Sequence, residues 1–180
     1  MSISKTKSVY HVSLSEAKRH LRIEQDYTED DDYINALIIA SSNYCENYIG
    51  KDISLTTNVL SLFDYTGDVI KVDEGNYVEV QSVISDTSTS LAIGVTKEYY
   101  NYFQIELVSS VSYSSDTTPL KVNFTSGYEE DNCPAEVKQA ILIKVTDLYD
   151  EERSNYVWSG KPKTNVVEAL LNSHKIILFG

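Results

Sequence analysis

The hydrophobic period of this chain changes twice, so neither an all-helical nor an all-β fold accommodates it. Ile34, Leu37, Ile38, Ser41, Cys45 and Tyr48 recur at i, i+3, i+4 spacing, and Gly50 is a natural helix stop. From Ile53 to Thr125 the pattern becomes "NVLSLF", "DVIKV", "YVEVQSVI", "LAIGV", "YFQIELV" and "LKVNFT". These are short β-branched or aromatic runs divided by Gly, Asp, Ser and Thr, the signature of antiparallel strands. Helical spacing returns at Pro134 with Val137, Ala140, Ile141, Val145, Leu148 and Tyr149. The order predicts an α+β chain: a helical bundle of N- and C-terminal helices, residues 1–52 plus 126–180, with an inserted antiparallel β lobe of five or six strands, residues 53–125.

Local signals refine the helices. Ser13 and Glu16 have capping-box spacing, and Leu14, Ala17 and Leu21 share a face of the short helix that follows. Thr28 is placed to cap the next helix, whose first turn carries Glu29, Asp30, Asp31 and Asp32 where the helix dipole favours carboxylates. Asn165 and Glu168 repeat the capping-box spacing before "VVEALL". The Ser- and Thr-rich stretches "SDTSTS" and "SSVSYSSDTT" read as hairpin loops. Leu142 and Ile143 make the helix after Pro134 apolar nearly all round, so more than one of its sides needs a cover.

Composition excludes several classes of function. No run approaches the eighteen or so apolar residues that span a bilayer, and the start lacks the apolar core of a signal peptide, so the chain is expected to work inside a cell without a membrane. Two cysteines make no disulfide framework and no paired metal spacing. A net charge of −12 with only 15 scattered Lys and Arg opposes tight binding to nucleic acid.

Three features of the sequence invite a chemical reading. Cys133 stands at a helix N-terminus, with Pro134 at the first helical position, and a helix N-terminus lowers a thiol pKa. Glu129, Glu130, Asp131 and Glu136 oppose that effect, and His11, His20 and His174 lie in the terminal segments, so a helix boundary is the favoured reading. Asp26, Thr28 and Asp30 match the first ligand positions of a calcium loop, but Asp31 stands where its glycine belongs and Leu37 where its bidentate glutamate belongs. The fourteen tyrosines invite base stacking, yet without interleaved basic residues they fit strand faces or interfaces better. The sequence therefore points to no catalytic residue, no metal and no cofactor. The final "KIILFG" has no partner evident in sequence. It either closes the chain's own core or docks on a neighbouring subunit, for instance as an added strand.

The stretch "SLSEAKRHLRIEQDYTEDDDYINALIIASSNYCENYIGKDI" resembles the opening of the tailed-phage head-tail connector family (adaptor, or head-completion proteins). There a Leu-x-x-Ala-Lys-x-x-Leu-Arg-Ile helix leads into acidic residues and a long helix ending at Gly. "VNFTSGYEEDNCPAEVKQAILIKVTDLYDEERS" is similar to the family's second hallmark through Gly127, Tyr128, Pro134, Ala140, Leu148, Tyr149, Glu152 and Arg153, and "NVVEALLNSHKI" occupies its short last helix. The resemblance covers about half the chain. It implies a non-enzymatic virion protein at the head-tail junction, assembled in the host cytoplasm. Copies, commonly twelve, would form a homo-oligomeric ring on the portal protein and present a platform to the tail or a second ring protein. DNA would pass through the channel without specific binding, repelled by carboxylates. The candidates for subunit or portal contact are Leu142, Ile143, Tyr149, Arg153, Ile176, Ile177, Leu178 and Phe179. The competing reading is a monomeric or dimeric binding module that uses the Tyr-rich β lobe.

Overall fold

The computed structural model describes residues 2–85, 90–113, 119–129, 132–149 and 165–176. It contains helices and wholly antiparallel sheets, an α+β chain, in two units: Met1–Val9 with Ser54–Glu129, and Tyr10–Ile53 with Glu130–Gly180.

Among the described residues the first unit has seven strands: β1 (Ser2–Val9), β2 (Leu55–Leu62), β3 (Tyr65–Val72), β4 (Tyr77–Ile84), β5 (Ile93–Glu98), β6 (Phe103–Tyr113) and β7 (Leu120–Ser126). One sheet has the order β1-β2-β7-β4 and the other β3-β6-β5. Along β7, Leu120, Val122, Phe124 and Ser126 are buried and the residues between them are not, the period of two expected of a strand with one covered face. Both sheets contribute to a single core: Leu60, Val83, Leu120, Val122 and Phe124 from the first, Ile70, Val72, Phe103, Ile105 and Leu107 from the second. Phe103 and Phe124 meet edge to face at 5.0 Å, and Tyr77 lies 4.6 Å from Phe103. Burying each Phe is worth about 1.5–3 kcal/mol before ordering costs. Gly127, at φ 104°, ends the last strand, and its N–H donates to the Asn76 carbonyl at 2.8 Å.

Two features depart from the sequence reading. Ser2–Val9, placed with the helices by its position in the chain, is a strand paired with β2 from Ser2↔Ser61 to Val9↔Leu55. Its side chains are mostly exposed, so it carries no hydrophobic alternation to read. "SSVSYSSDTT", expected to be a loop, begins as the end of β6. Val111, Ser112 and Tyr113 pair with Gly67, Thr66 and Tyr65, because hydroxyl side chains are at home on a solvated strand face.

The second unit contains α1 (Leu14–Leu21), α2 (Asp31–Ile49), α3 (Ala135–Tyr149), α4 (Val166–Leu171) and a 3-10 turn at Asn172–His174. The Ser13–Glu16 capping box forms: Ser13 N–H donates to Glu16 Oε2 at 2.8 Å and Glu16 N–H donates to Ser13 Oγ at 3.2 Å. The bond from the Ser13 backbone N–H, helped by one that the Ser13 hydroxyl donates to the same carboxylate oxygen at 2.8 Å, holds the Glu16 carboxyl below its usual range. Helix α2 packs on α3, and α3 on α4; Ala17, Ile34, Ile38, Cys45, Ile49, Val137, Ala140, Ile141, Val145 and Leu171 are buried. Gly50 caps α2 at φ 74°, and its N–H reaches the Glu46 carbonyl at 2.8 Å.

The expected caps at Thr28 and Asn165 do not form. Asp30 is the N-cap residue of α2, and it makes no side-chain cap bond because its carboxylate accepts from Tyr149 instead. Asn165 caps α4 without a side-chain bond, and Glu168 accepts from Tyr44. Helix α3 starts at Ala135, with the Pro134 carbonyl accepting from the N–H groups of Val137 and Lys138 at 3.1 Å.

Candidate functional site

Polar and aromatic side chains gather at the two ends of α2 in one unit and on the outer face of the three-stranded sheet in the other. At the start of α2, Lys18 is buried, and its ammonium pairs with Asp31 at 2.5 Å and donates to the Gln25 carbonyl at 3.2 Å. Beside it the Tyr149 hydroxyl donates to Asp30 Oδ2 at 2.6 Å, tying the end of α3 to the beginning of α2. That bond, aided by partial burial, raises the Tyr149 phenol to about 12. The Tyr149 ring lies 6.0 Å from Tyr33, which is 49% exposed, and the Tyr27 hydroxyl donates to Glu29 at 3.3 Å. Of the calcium-loop candidates Asp30 is thus engaged by Tyr149, while Asp31, in the place of the loop's glycine, pairs with Lys18. Among the described residues no group of three or more His, Cys, Asp or Glu is placed to hold a metal.

The other end of α2 receives the C-terminal segment. Tyr44 donates to Glu168 at 3.2 Å and Tyr48 to Asn172 Oδ1 at 2.7 Å. Lys144 sits 4.3 Å above the Tyr44 ring, and Lys175 sits 4.5 Å above that of Tyr48. Ile176 N–H donates to the Ile49 carbonyl at 2.8 Å. A Cβ on Gly50 would lie 3.7 Å from the Ile176 side chain. Sequence reading missed this pair of tyrosines, although their i, i+4 spacing on one face of α2 is a legible sign of a shared partner.

The predicted contact residues divide three ways. Leu142 and Ile143 are half-buried on α3, outside the fully buried row of Val137, Ala140, Ile141 and Val145. Tyr149 and Ile176 are placed by the hydrogen bonds above. Arg153, Ile177, Leu178 and Phe179 lie outside the described residues.

Cys133 is buried, and its Sγ lies 3.9 Å from the Pro134 carbonyl oxygen. Burial pushes the thiol up to about 11, against a smaller opposing effect of Lys138. Cys45, more deeply enclosed, is pushed up to about 12. Neither is poised as a nucleophile at neutral pH.

In the β unit, the three-stranded sheet turns Val69, Val95 and Val108 to solvent, with Glu106 between Val69 and Val95 in register. Glu106 is hydrogen-bonded to Lys97, and Lys71 pairs with Asp73 at 2.6 Å. At the β5–β6 turn Tyr99 and Tyr102 stack at 4.5 Å, with Lys71 4.6 Å over Tyr102. The tyrosines therefore stack on one another and on a lysine within the unit.

No curated protein sequence matches the chain. Among solved structures, the fold is similar to a chain of the "Neck of empty GTA particle computed with C6 symmetry", at TM-score 0.76 and 17% identity over 99% of this chain and 97% of that one. It is also similar to a chain of the "Virion of native gene transfer agent (GTA) particle", at TM-score 0.74 and 15% identity with the same coverage. A third likeness is to the "Neck of native GTA particle computed with C12 symmetry", at TM-score 0.72 and 15% identity over 99% and 97%. The family model "Phage gp6-like head-tail connector protein" matches residues 11–141, nearly three quarters of the sequence. The chain belongs to the phage gp6-like head-tail connector family.

Proposed function

We propose that this protein is a structural component of the head-tail junction of a tailed-phage-like particle, where its copies form a ring between portal and tail. The observation that carries the reading is the family match across α1, α2, the strands β2 to β7 and the first half of α3. The whole-chain likeness to proteins from necks computed with C6 and C12 symmetry supports it, and twelve copies is the number it favours. The helices form a bundle that packs subunits side by side, with Leu142, Ile143, Tyr149 and Arg153 among the contacts. Ile176, Ile177, Leu178 and Phe179 reach the portal or an adjoining subunit. DNA passes through the ring without specific binding: a net charge of −12 per copy makes a dense negative field that repels phosphate. The role is non-catalytic, in keeping with two thiols held protonated by burial.

Light scattering and negative-stain imaging of the purified chain, alone and mixed with the portal protein of the same particle, test the proposal. Rings of uniform diameter are expected in at least the mixture. A protein that stays monomeric at high concentration in both conditions refutes it.

A further inference from the structure

Four strands stand at the edges of the two sheets: β1 and β4 of one, β3 and β5 of the other. An open edge is a template for another strand, and proteins blunt such edges with bulges. The register of β3 breaks between Gly67 and Val69, that of β5 between Ile93 and Val95, and that of β4 at two places. The outer side of β4 is also partly occupied, since Leu91 N–H donates to the Val83 carbonyl at 2.8 Å and Ile84 bridges Ser90. In β1 the only break lies near its end, between Lys7 and Val9; before it the strand runs straight through six consecutive pairs from Ser2↔Ser61 to Lys7↔Thr56, and among the described residues no strand lies on its outer side. Its side chains are largely exposed, so the strand adds little to the core that would explain its length and regularity.

Two β1 edges are poor partners for each other. Ile3, Lys5 and Lys7 share one face of β1, and antiparallel self-pairing brings lysines of the two copies together. The chain offers a better occupant. The described part ends at Ile176, just after Lys175 has turned to extended geometry at φ −69°, ψ 138°. The residues left are Ile177, Leu178, Phe179 and Gly180, uncharged and mostly aliphatic or aromatic. Ile176 to Gly180 as a strand spans about 17 Å, within the roughly 20 Å of six straight residue pairs. Such a strand would lay alternate side chains against Ile3 and the aliphatic stem of Lys5, whose ammonium is already held by Glu74 at 3.0 Å.

We propose that residues 176–180 of one copy add as a fifth strand to the open edge of β1 in a second copy. The inference rests on the ring reading and names one of its contacts. A tail-to-edge contact is heterologous, joining two different patches, which is the kind that closes into rings.

The test uses a chain lacking residues 177–180 and a synthetic peptide, Lys-Ile-Ile-Leu-Phe-Gly followed by a short Lys-containing solubility tag. Saturable binding is expected, with amide chemical-shift changes confined to Ser2–Val9 and its β2 neighbours. Replacing the peptide's leucine by proline should weaken binding about tenfold through loss of ladder hydrogen bonds. Ser4→Pro and Lys5→Pro give a second check, because one removes an N–H bonded to β2 and the other an N–H on the outer side. The variant that keeps its thermal stability should be the one that loses the peptide. In the full chain, differently tagged copies carrying Ser4→Cys or Leu178→Cys should form a disulfide with each other. Absence of binding up to the peptide's solubility limit, shifts away from β1, or cross-linking only within a chain carrying both cysteines overturns the proposal. Normal rings without the inter-copy cross-link refute this contact and leave the ring reading standing; absence of rings refutes the ring reading.

Discussion

Replacing Tyr149 by Phe removes one oxygen and leaves the ring that packs near Tyr33, so it isolates the 2.6 Å bond to Asp30. A rise of the phenol from its ordinary 10 to about 12 corresponds to ~2.7 kcal/mol at ~1.4 kcal/mol per tenfold in acidity. The pair is only partly buried, and solvent screening reduces that figure, so we expect Tyr149→Phe to cost ~1 kcal/mol at pH 7. Urea unfolding of the wild type, Tyr149→Phe, Asp30→Asn and the double variant forms a cycle whose coupling energy should be ~1 kcal/mol. The sign of the pH dependence follows from the direction of the shift. Because the folded state holds the proton more tightly, the bond's contribution is complete below pH 10 and is lost as pH rises through 12. A coupling indistinguishable from zero, or a wild-type advantage over Tyr149→Phe that grows above pH 10, refutes the assignment.

Ellman's reagent should react with native Cys133 and Cys45 at pH 8 at least ~100-fold more slowly than with the urea-unfolded chain, since burial holds their thiols at about 11 and about 12. Cys133→Ser should leave assembly with the portal intact, and its failure would reopen a chemical role for the thiol. Phe103→Ala, at the meeting point of the two sheets, should destabilise the β unit by ~3–5 kcal/mol in denaturant titrations followed by circular dichroism; a loss under ~1 kcal/mol would mean the two sheets do not share this core. Gly50→Ala should cost about 1 kcal/mol in the same assay because the cap needs φ 74°, not because space is short.

The helices and strands were legible wherever burial imposes a period on the sequence. Ile34 to Ile49, Val137 to Val145 and the six runs between Ile53 and Thr125 each lay one side against a core, and a regular element then repeats its apolar residues at its own pitch. The Ser13–Glu16 box and the Gly50 stop were legible as well, since their chemistry is local. Thr28 and Asn165 were equally good local candidates, and both failed for a non-local reason. The carboxylates expected to serve those helix starts, at Asp30 and Glu168, are engaged by Tyr149 and Tyr44 from other helices. Of the contact residues chosen from sequence, Leu142 and Ile143 stood out by their excess of apolar surface, whereas Tyr48 blends into the packing row of α2 and Tyr44 breaks no pattern.

By itself the sequence determined the α+β class, the helix-sheet-helix order and the resemblance to connector proteins, because hydrophobic periodicity and short motifs are properties of neighbours along the chain. Only the tertiary structure decided that Ser2–Val9 is a strand, that the seven strands form two sheets around Phe103 and Phe124, and that Ile176 is anchored to Ile49. Those outcomes depend on pairings between residues distant in sequence. A solvated edge strand such as β1 buries too little of its own surface to leave a periodic trace.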